Sequence, residues 1–348
     1  MSKKWNIPLG EFSLACESAP KYKALANVIE QAIHSGDLEA GEKLPAQRWL
    51  ADEFAVTHGT VTRAYDLIEK RGLVTAKLGS GTSVNAHALA VPEIKANKVY
   101  DFASSMQPML GQQAVLARAM QDVAHDPTAL MEVMTYAHQG LIKHKMICSR
   151  WLAKKNLSIQ PEDITFTQGA QQGIYTCLQI LCEAGEYVMH EALAYPGFFK
   201  AAKANKLTTL ALNLNQEGID LAQLEAYCQC HQPKLLYLTL NSQNPTNVQY
   251  SRAQRDAIIT LSKRYHFYII EDDVNYVLPE NWQSPLQQAA PEQVFYLSSL
   301  SKYVAGGLRI AYALIPSTWR ARFNQSLHSQ CWMNASMNVE IAKRFLMT

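Results

Sequence analysis

Lys302 lies in VFYLSSLSKYVAGGLRIAYALI, residues 294–315, between two apolar runs that read as buried strands. A solvated cation is the common state of a loop lysine. The neighbours of this one permit other chemistry: small hydroxyl residues before it, a Gly-Gly hinge after it, and Arg309 opening the second run. An amine held at the C-terminal edge of a sheet can form a Schiff base with an aldehyde, beside a phosphate-binding serine and arginine. Three further segments offer matching groups. Residues 167–173, TQGAQQG, form a glycine-containing turn that opens a helix, where N–H groups suit a phosphate. Residues 241–247, NSQNPTN, follow the strand-like KLLYLTL; alone they are an ordinary polar turn. Glu271, Asp272 and Asp273 end the apolar FYII. Acids there are either a solvated turn or the partner of a cationic ring nitrogen.

The elements that must position these groups are legible around them. EYVMHEA, TTLALNLN, KLLYLTL, FYIIEDD, VFYLSSL and RIAYALI have strand length, and helical stretches at 170–181 and 251–265 intervene. Such alternation predicts a mostly parallel sheet covered on both faces, with ligands at the C-terminal strand ends.

At 348 residues the chain is long enough for two or more domains. Its formal charge of +2 excludes a global basic field, so any nucleic-acid contact rests on a local patch. The seven cysteines show no CxxC pair or zinc-like spacing and read as reduced thiols of a cytoplasmic protein. MSKKWNIPLG lacks an apolar signal core, and no apolar run reaches membrane-spanning length.

The first 86 residues follow a different pattern. Leu25, Val28, Ile29, Ala32 and Ile33 make a helical stripe that Ser35-Gly36-Asp37 ends. Pro45 starts a second helix, AQRWLADEF, and Thr57 is the expected N-cap of a third with Val61, Ala64, Tyr65 and Ile68 inward. The second and third helices make a helix-turn-helix, whose outward His58, Thr60, Thr62, Arg63 and Lys70 suit phosphates and base edges. GLVTAKLGSGTSV then alternates and turns at Gly79-Ser80-Gly81, as a two-stranded wing does. Over residues 1–90, ten Lys and Arg balance ten Asp and Glu, so DNA affinity would depend on local geometry and on paired half-sites. Residues 87–99, HALAVPEIKANKV, read as a linker.

The run IHSGDLEAGEKLPAQRWLADEFAVTHGTVTRAYDLIEKRGLVTAKLGSGTSV resembles the winged-helix domain of GntR-type transcription regulators. The resemblance implies DNA contacts at Arg48, Thr57, His58, Thr60, Arg63 and Gly81. His58 stands where arginine is common, so that contact is expected to be weaker or pH-dependent. The segments after residue 130 together resemble the large domain of fold-type I pyridoxal-phosphate enzymes, the aspartate aminotransferase class. Both halves together are similar to the MocR subfamily of GntR regulators. That resemblance divides the chain into a winged helix-turn-helix at 12–86, the linker at 87–99, and an α/β aminotransferase-like domain at 100–348.

What it implies for the site is specific. Lys302 would carry pyridoxal 5'-phosphate as a Schiff base, and Asp272 would keep the pyridine nitrogen protonated. Asn244 would donate to the phenolate oxygen, and Tyr195, in EALAYPG, would stack on the ring. The phosphate would be held by the N–H groups of Ala170 and Gln171, by Ser299 and by Arg309. Several residues depart from the family pattern. Val274 and Asn275 stand where a tyrosine is common, and Tyr276 comes one position late. Asn247 replaces the glycine of N-P-T-G, Gly306 replaces a proline, and His144-Lys145 replaces Leu-Arg. The sequence ends within an expected helix, which predicts a member lacking the small C-terminal domain. The expected function is therefore a cytoplasmic, homodimeric regulator that binds an operator in double-stranded DNA and senses a small amino compound, with no membrane partner. The alternative is an aminotransferase with an accessory DNA-binding domain.

Overall fold

The computed structural model describes Phe12 and residues 20–77, 81–85, 111–137, 140–154 and 157–347. These divide into two compact units, Met1–Ala103 and Ser104–Thr348. The linker at 87–99 lies outside the described residues, as do Gly79 and Ser80 of the wing turn.

Among the described residues the first unit has the helices α1 (Lys21–Ser35), α2 (Gln47–Glu53) and α3 (His58–Lys70), and a hairpin of β1 (Val74–Lys77) and β2 (Gly81–Val84). Its core forms where the helical stripes meet: Leu25, Ile29 and Ile33 of α1, Leu50 of α2, and Val61, Tyr65 and Ile68 of α3 are buried together. Thr57 does cap α3, its hydroxyl accepting from the Thr60 N–H at 3.2 Å. The wing strands pair antiparallel, Val74 opposite Val84 and Lys77 opposite Gly81. The segment before α2 pairs with β2 from its other side, Leu44 N–H to Thr82 O at 2.8 Å and Val84 N–H to Glu42 O at 2.9 Å. The wing is thus anchored to the loop that delivers α2.

The described part of the second unit opens with α4 (Gln112–Ala124), α5 (Pro127–Val133) and α6 (Ile142–Ala153). It continues through β3 (Ile164–Gln168), α7 (Gly169–Leu181), β4 (Tyr187–Glu191), α8 (Pro196–Ala204) and β5 (Thr208–Leu212). A small hairpin, β6 (Leu214–Asn215) and β7 (Gly218–Ile219), leads to α9 (Leu221–His231), β8 (Leu235–Leu238), α10 (Arg252–Tyr265) and β9 (Tyr268–Asp272). The short α11 (Leu286–Ala289), β10 (Val294–Ser299), β11 (Ile310–Leu314), α12 (Arg320–Cys331) and α13 (Ser336–Met347) follow. The seven-stranded sheet runs β3-β11-β10-β9-β8-β4-β5. Strands β10, β9, β8, β4 and β5 are parallel, while β11 is antiparallel to both its neighbours.

That single reversal matters for the site. Because β11 runs backwards, its first residue, Ile310, faces Gln168, the last residue of β3. Arg309, just before it, therefore arrives at the edge where β3, β9 and β10 end. Strands β8, β10 and β11 are buried along their whole length, as a sheet covered on both faces requires. Helix α7 packs close: a Cβ on Gly173 would lie 2.8 Å from a Leu297 methyl carbon of β10. Strand β3 and the β6–β7 hairpin were not anticipated.

Candidate cofactor site

The C-terminal strand ends enclose a cavity of about 420 Å³. Ala170, Gln171, Tyr195, Asn244, Asp272, Ser299, Lys302 and Arg309 all line it, so the eight residues implied for the cofactor converge on one place.

Each arrives from a different element. Lys302 ends a turn of 3-10 helix that follows β10, and burial lowers its pKa from the ordinary lysine value. Ser299 caps that turn, accepting from the Ser301 N–H at 3.1 Å, and its hydroxyl donates to Ile310 O at 3.1 Å. Ser301, one of the small hydroxyl residues before Lys302, lines the cavity too. No side chain caps the start of α7, and Ala170 and Gln171 sit in its first turn, so unpaired first-turn N–H groups are available to an anion. Gly169 has φ +72°, and a Cβ there would lie 2.0 Å from Arg309 Nη2. Only glycine lets the guanidinium lie over this turn.

The three acids after FYII are all buried, which removes the solvated-turn alternative. They have separate tasks. Glu271 accepts the N–H groups of Leu286 and Gln287 at the start of α11, and burial raises its pKa to about 8. Asp273 accepts from Asn241 Nδ2 at 3.0 Å and from the Tyr296 hydroxyl at 2.7 Å. Asp272 accepts from the Tyr237 hydroxyl at 2.6 Å on Oδ2, while Oδ1 is buried with no hydrogen-bond partner among the described residues. Burial raises its pKa to about 6. A buried, half-satisfied carboxylate in a cavity wall calls for an incoming donor, and a protonated ring nitrogen is a suitable one.

The loops that carry the remaining side chains are joined through a fourth buried acid, Glu191, at the end of β4. It accepts from Tyr250 at 2.8 Å and from the Thr239 hydroxyl at 2.6 Å, and burial raises its pKa to about 7. Gln243 donates to Leu193 O at 2.5 Å and to Glu191 Oε2 at 3.4 Å. Glu191 and Gln243 thus join the loop carrying Tyr195 to the loop carrying Asn244. Gln171 Nε2 donates to Gly197 O at 2.9 Å, tying α7 to the same loop. Glu191, Tyr237 and Gln243 were missed as site residues because their letters lie inside apolar strands or a generic turn.

The departures from the family pattern are accommodated. Asn275 lines the cavity and donates to Ser242 O at 2.8 Å, whereas Tyr276 packs against Tyr303 with ring centroids 5.2 Å apart. Asn247 takes φ +59°, a left-handed conformation that asparagine tolerates. His144 is buried and its Nε2 lies 2.5 Å from a Glu340 carboxylate oxygen of α13, and neither it nor the buried Lys145 lines the cavity.

In the first unit Arg48, Thr57, His58, Arg63 and Gly81 are exposed and Thr60 is half-buried. The Thr62 hydroxyl donates to Gln47 Oε1 at 2.8 Å, fixing the start of α2, which carries Arg48, beside α3, which carries Arg63. A helix-turn-helix presenting polar and basic side chains is suited to the DNA major groove.

Residues 21–84 match the family described as bacterial regulatory proteins, gntR family, and residues 97–344 match aminotransferase class I and II. The chain belongs to the class I and II aminotransferase family. Its gntR-type N-terminal domain makes it a member of the MocR subfamily. This MocR chain is 28% identical over 315 residues to the HTH-type transcriptional regulator YdeF of Bacillus subtilis, covering 89% of this chain and 68% of that one. YdcR of Escherichia coli is 28% identical over 351 residues, covering 92% and 74%. TauR of Rhodobacter capsulatus, also an HTH-type transcriptional regulator, is 25% identical over 357 residues, covering 90% and 72%. Among solved structures, an archaeal alanine:glyoxylate aminotransferase matches with TM-score 0.63 at 21% identity. That match covers 70% of the MocR chain and 62% of the enzyme chain, and it establishes the fold. Pyridoxal phosphate is the cofactor this family implies, and the orphaned Asp272 oxygen, the Gly169–Arg309 turn and Lys302 fit it. No helix among the described residues is long and apolar enough to cross a membrane.

Proposed function

We propose that this chain is a cytoplasmic transcription regulator whose residues 12–86 bind an operator in double-stranded DNA and whose residues 100–348 hold pyridoxal phosphate and sense a small amino compound. Residues 87–99 serve as the linker, and two copies act as a homodimer. The observation that carries this reading is one chain with two sites: a helix-turn-helix presenting Arg48 and Arg63, and a cavity shared by Lys302 and the half-satisfied Asp272.

Pyridoxal phosphate, when bound, supplies an aldehyde that condenses with primary amines and a ring that withdraws electrons. The chain's own groups set where and how strongly. Lys302, its pKa lowered by burial, offers a larger neutral fraction than a solvated lysine and so a better nucleophile. Asp272 Oδ1 would hold the ring nitrogen's proton, Asn244 would donate to the phenolate oxygen, and Tyr195 would cover one ring face. Arg309, Ser299 and the first-turn N–H groups of α7 would hold the phosphate. With a primary amine bound in its place, Lys302 would stand as a free amine in the cavity. The regulator reading requires that this change favour one arrangement of the dimer over another, which shifts operator affinity. On the DNA side Arg63, Arg48, Thr57, His58, Thr60 and Gly81 would make the contacts.

The homodimer is supported by exposed apolar side chains concentrated over α4 to α6. Met131, Met134 and Tyr136 are 64%, 81% and 78% exposed, and Met120, Ile142 and Met146 add to them. Exposed apolar side chains grouped on neighbouring elements suit a protein–protein interface.

The second reading, an aminotransferase with an accessory DNA-binding domain, is favoured by the complete set of cofactor side chains around one cavity. Two assays over a panel of amino acids separate the readings. The regulator converts bound cofactor to its amine form at most once and shows an amine-dependent change in affinity for DNA upstream of its own gene. Rapid multiple-turnover transamination with unchanged DNA affinity would reverse the ranking.

A further inference from the structure

Four buried carboxylates crowd the C-terminal end of the sheet, and three of them each accept from a buried tyrosine. Tyr250 donates to Glu191, Tyr296 to Asp273 and Tyr237 to Asp272. Two of these pairs are closed. The second oxygen of Glu191 takes the Thr239 hydroxyl and N–H, and the second oxygen of Asp273 takes Asn241. Glu271, the fourth, has both oxygens on backbone N–H groups of α11. Asp272 differs: Tyr237 fills Oδ2 at 2.6 Å, the Val274 backbone N–H also favours the charged carboxylate, and Oδ1 is buried without a hydrogen bond of normal geometry among the described residues.

Tyr237 combines core packing with that hydrogen bond. It is fully buried in the centre of β8, the strand beside β9, and its ring stacks on Phe198 at 4.5 Å and 20°. It is not among the residues lining the cavity, so a ligand there would meet it only through Asp272. A neutral donor on one carboxylate oxygen fixes the rotamer and favours the charged form, leaving the other oxygen for a second donor.

We propose that Tyr237 is a positioning residue for the cofactor's pyridine nitrogen, acting through Asp272 by occupying Oδ2 and presenting Oδ1 to the ring. This rests on the reading that pyridoxal phosphate occupies the cavity. Without the phenol, Asp272 competes better for the shared proton, and the ring nitrogen loses it.

The test uses the full chain loaded with pyridoxal phosphate carrying 15N in the ring, as wild type, Tyr237→Phe, Asp272→Asn and the double variant. Tyr237→Phe should move the ring 15N resonance toward the neutral-pyridine position and raise the cofactor Kd by about tenfold, the scale of a hydrogen bond to a charged group. In the Asp272→Asn background the same change should add nothing, because the hydroxyl acts through the carboxylate. Wild-type resonance and Kd in Tyr237→Phe would overturn the proposal. So would an equal loss of affinity in the Asp272→Asn background, which would mark Tyr237 as core packing alone. Should thermal melts show Tyr237→Phe to be misfolded, 3,5-difluorotyrosine at position 237 keeps the shape and strengthens the donor. The ring should then stay protonated, and movement toward neutral would contradict the proposal. A wild type that takes up no cofactor, with a spectrum equal to Lys302→Ala, refutes the underlying cofactor reading and this inference with it.

Discussion

At the scale of single residues, the cavity is governed by groups that water would otherwise satisfy. Gly169 is the sharpest case, since a methyl there would meet the Arg309 guanidinium and force a residue with φ +72° to carry a side chain. Gly169→Ala should therefore weaken binding of pyridoxal phosphate and of inorganic phosphate by about tenfold or more, while Gly185→Ala, at an open turn, should leave both unchanged. Equal affinities by fluorescence titration would show that Arg309 does not need this turn. The buried acids make a second prediction, about pH. Glu191 and Glu271 have folded pKa values raised by burial to about 7 and about 8, so the folded state binds protons the unfolded state has lost. Their stabilising contribution is complete only below the unfolded carboxylate range, and is lost as pH rises through these values. His144 and His190, lowered by burial, act oppositely, but only below about pH 6.5, the unfolded histidine range. The melting temperature of the cofactor-free chain should thus fall between about pH 6.5 and pH 8, and Glu271→Gln should flatten the fall. A melting temperature that rises over this interval would contradict the assignment. Lys302, Asp272 and Arg309 were legible in the sequence because charged letters between apolar runs stand out. Tyr237 and Glu191 were not, since a hydrogen bond between neighbouring strands leaves no mark on local spacing.

At the scale of elements, apolar periodicity located most of what the structure contains. The stripe at Val61, Ala64, Tyr65 and Ile68 buries as expected, and the six apolar runs all become strands. Strand β3 escaped because ITFTQ alternates hydroxyl residues with apolar ones and runs directly into the α7 turn. The β6–β7 hairpin has two residues in each strand, too short for any period to show. The reversal of β11 could not be read either, because a fully buried strand looks the same in both directions. Yet it is this reversal that brings Arg309 to the cavity. In the first unit the cap and the α2–α3 contact carry the corresponding weight. Arg63→Ala should weaken operator binding at least fivefold, with a reduced salt slope if the contact is to phosphate. Gln47→Ala should weaken it less, by freeing the start of α2 from Thr62. Unchanged binding by Arg63→Ala in a salt titration would remove α3 from the interface.

At the scale of the whole molecule, the proposal joins an operator-binding unit to a cofactor-binding one, and each unit has a core of its own. The exposed methionines of α5 and its following turn predict association. Met131→Glu with Met134→Glu should shift the chain toward monomer in sedimentation, and a wild type that is already monomeric at micromolar concentration would contradict the dimer. In the proposed function, Lys302 carries a cofactor in a chain that binds DNA. The most direct measurement is a visible-absorbance titration of the chain with pyridoxal phosphate, wild type against Lys302→Ala. The wild type should show a saturable band from lysine-bound cofactor that Lys302→Ala abolishes, with the ordinary spectrum of the free aldehyde left behind. Identical spectra for the two proteins would contradict it.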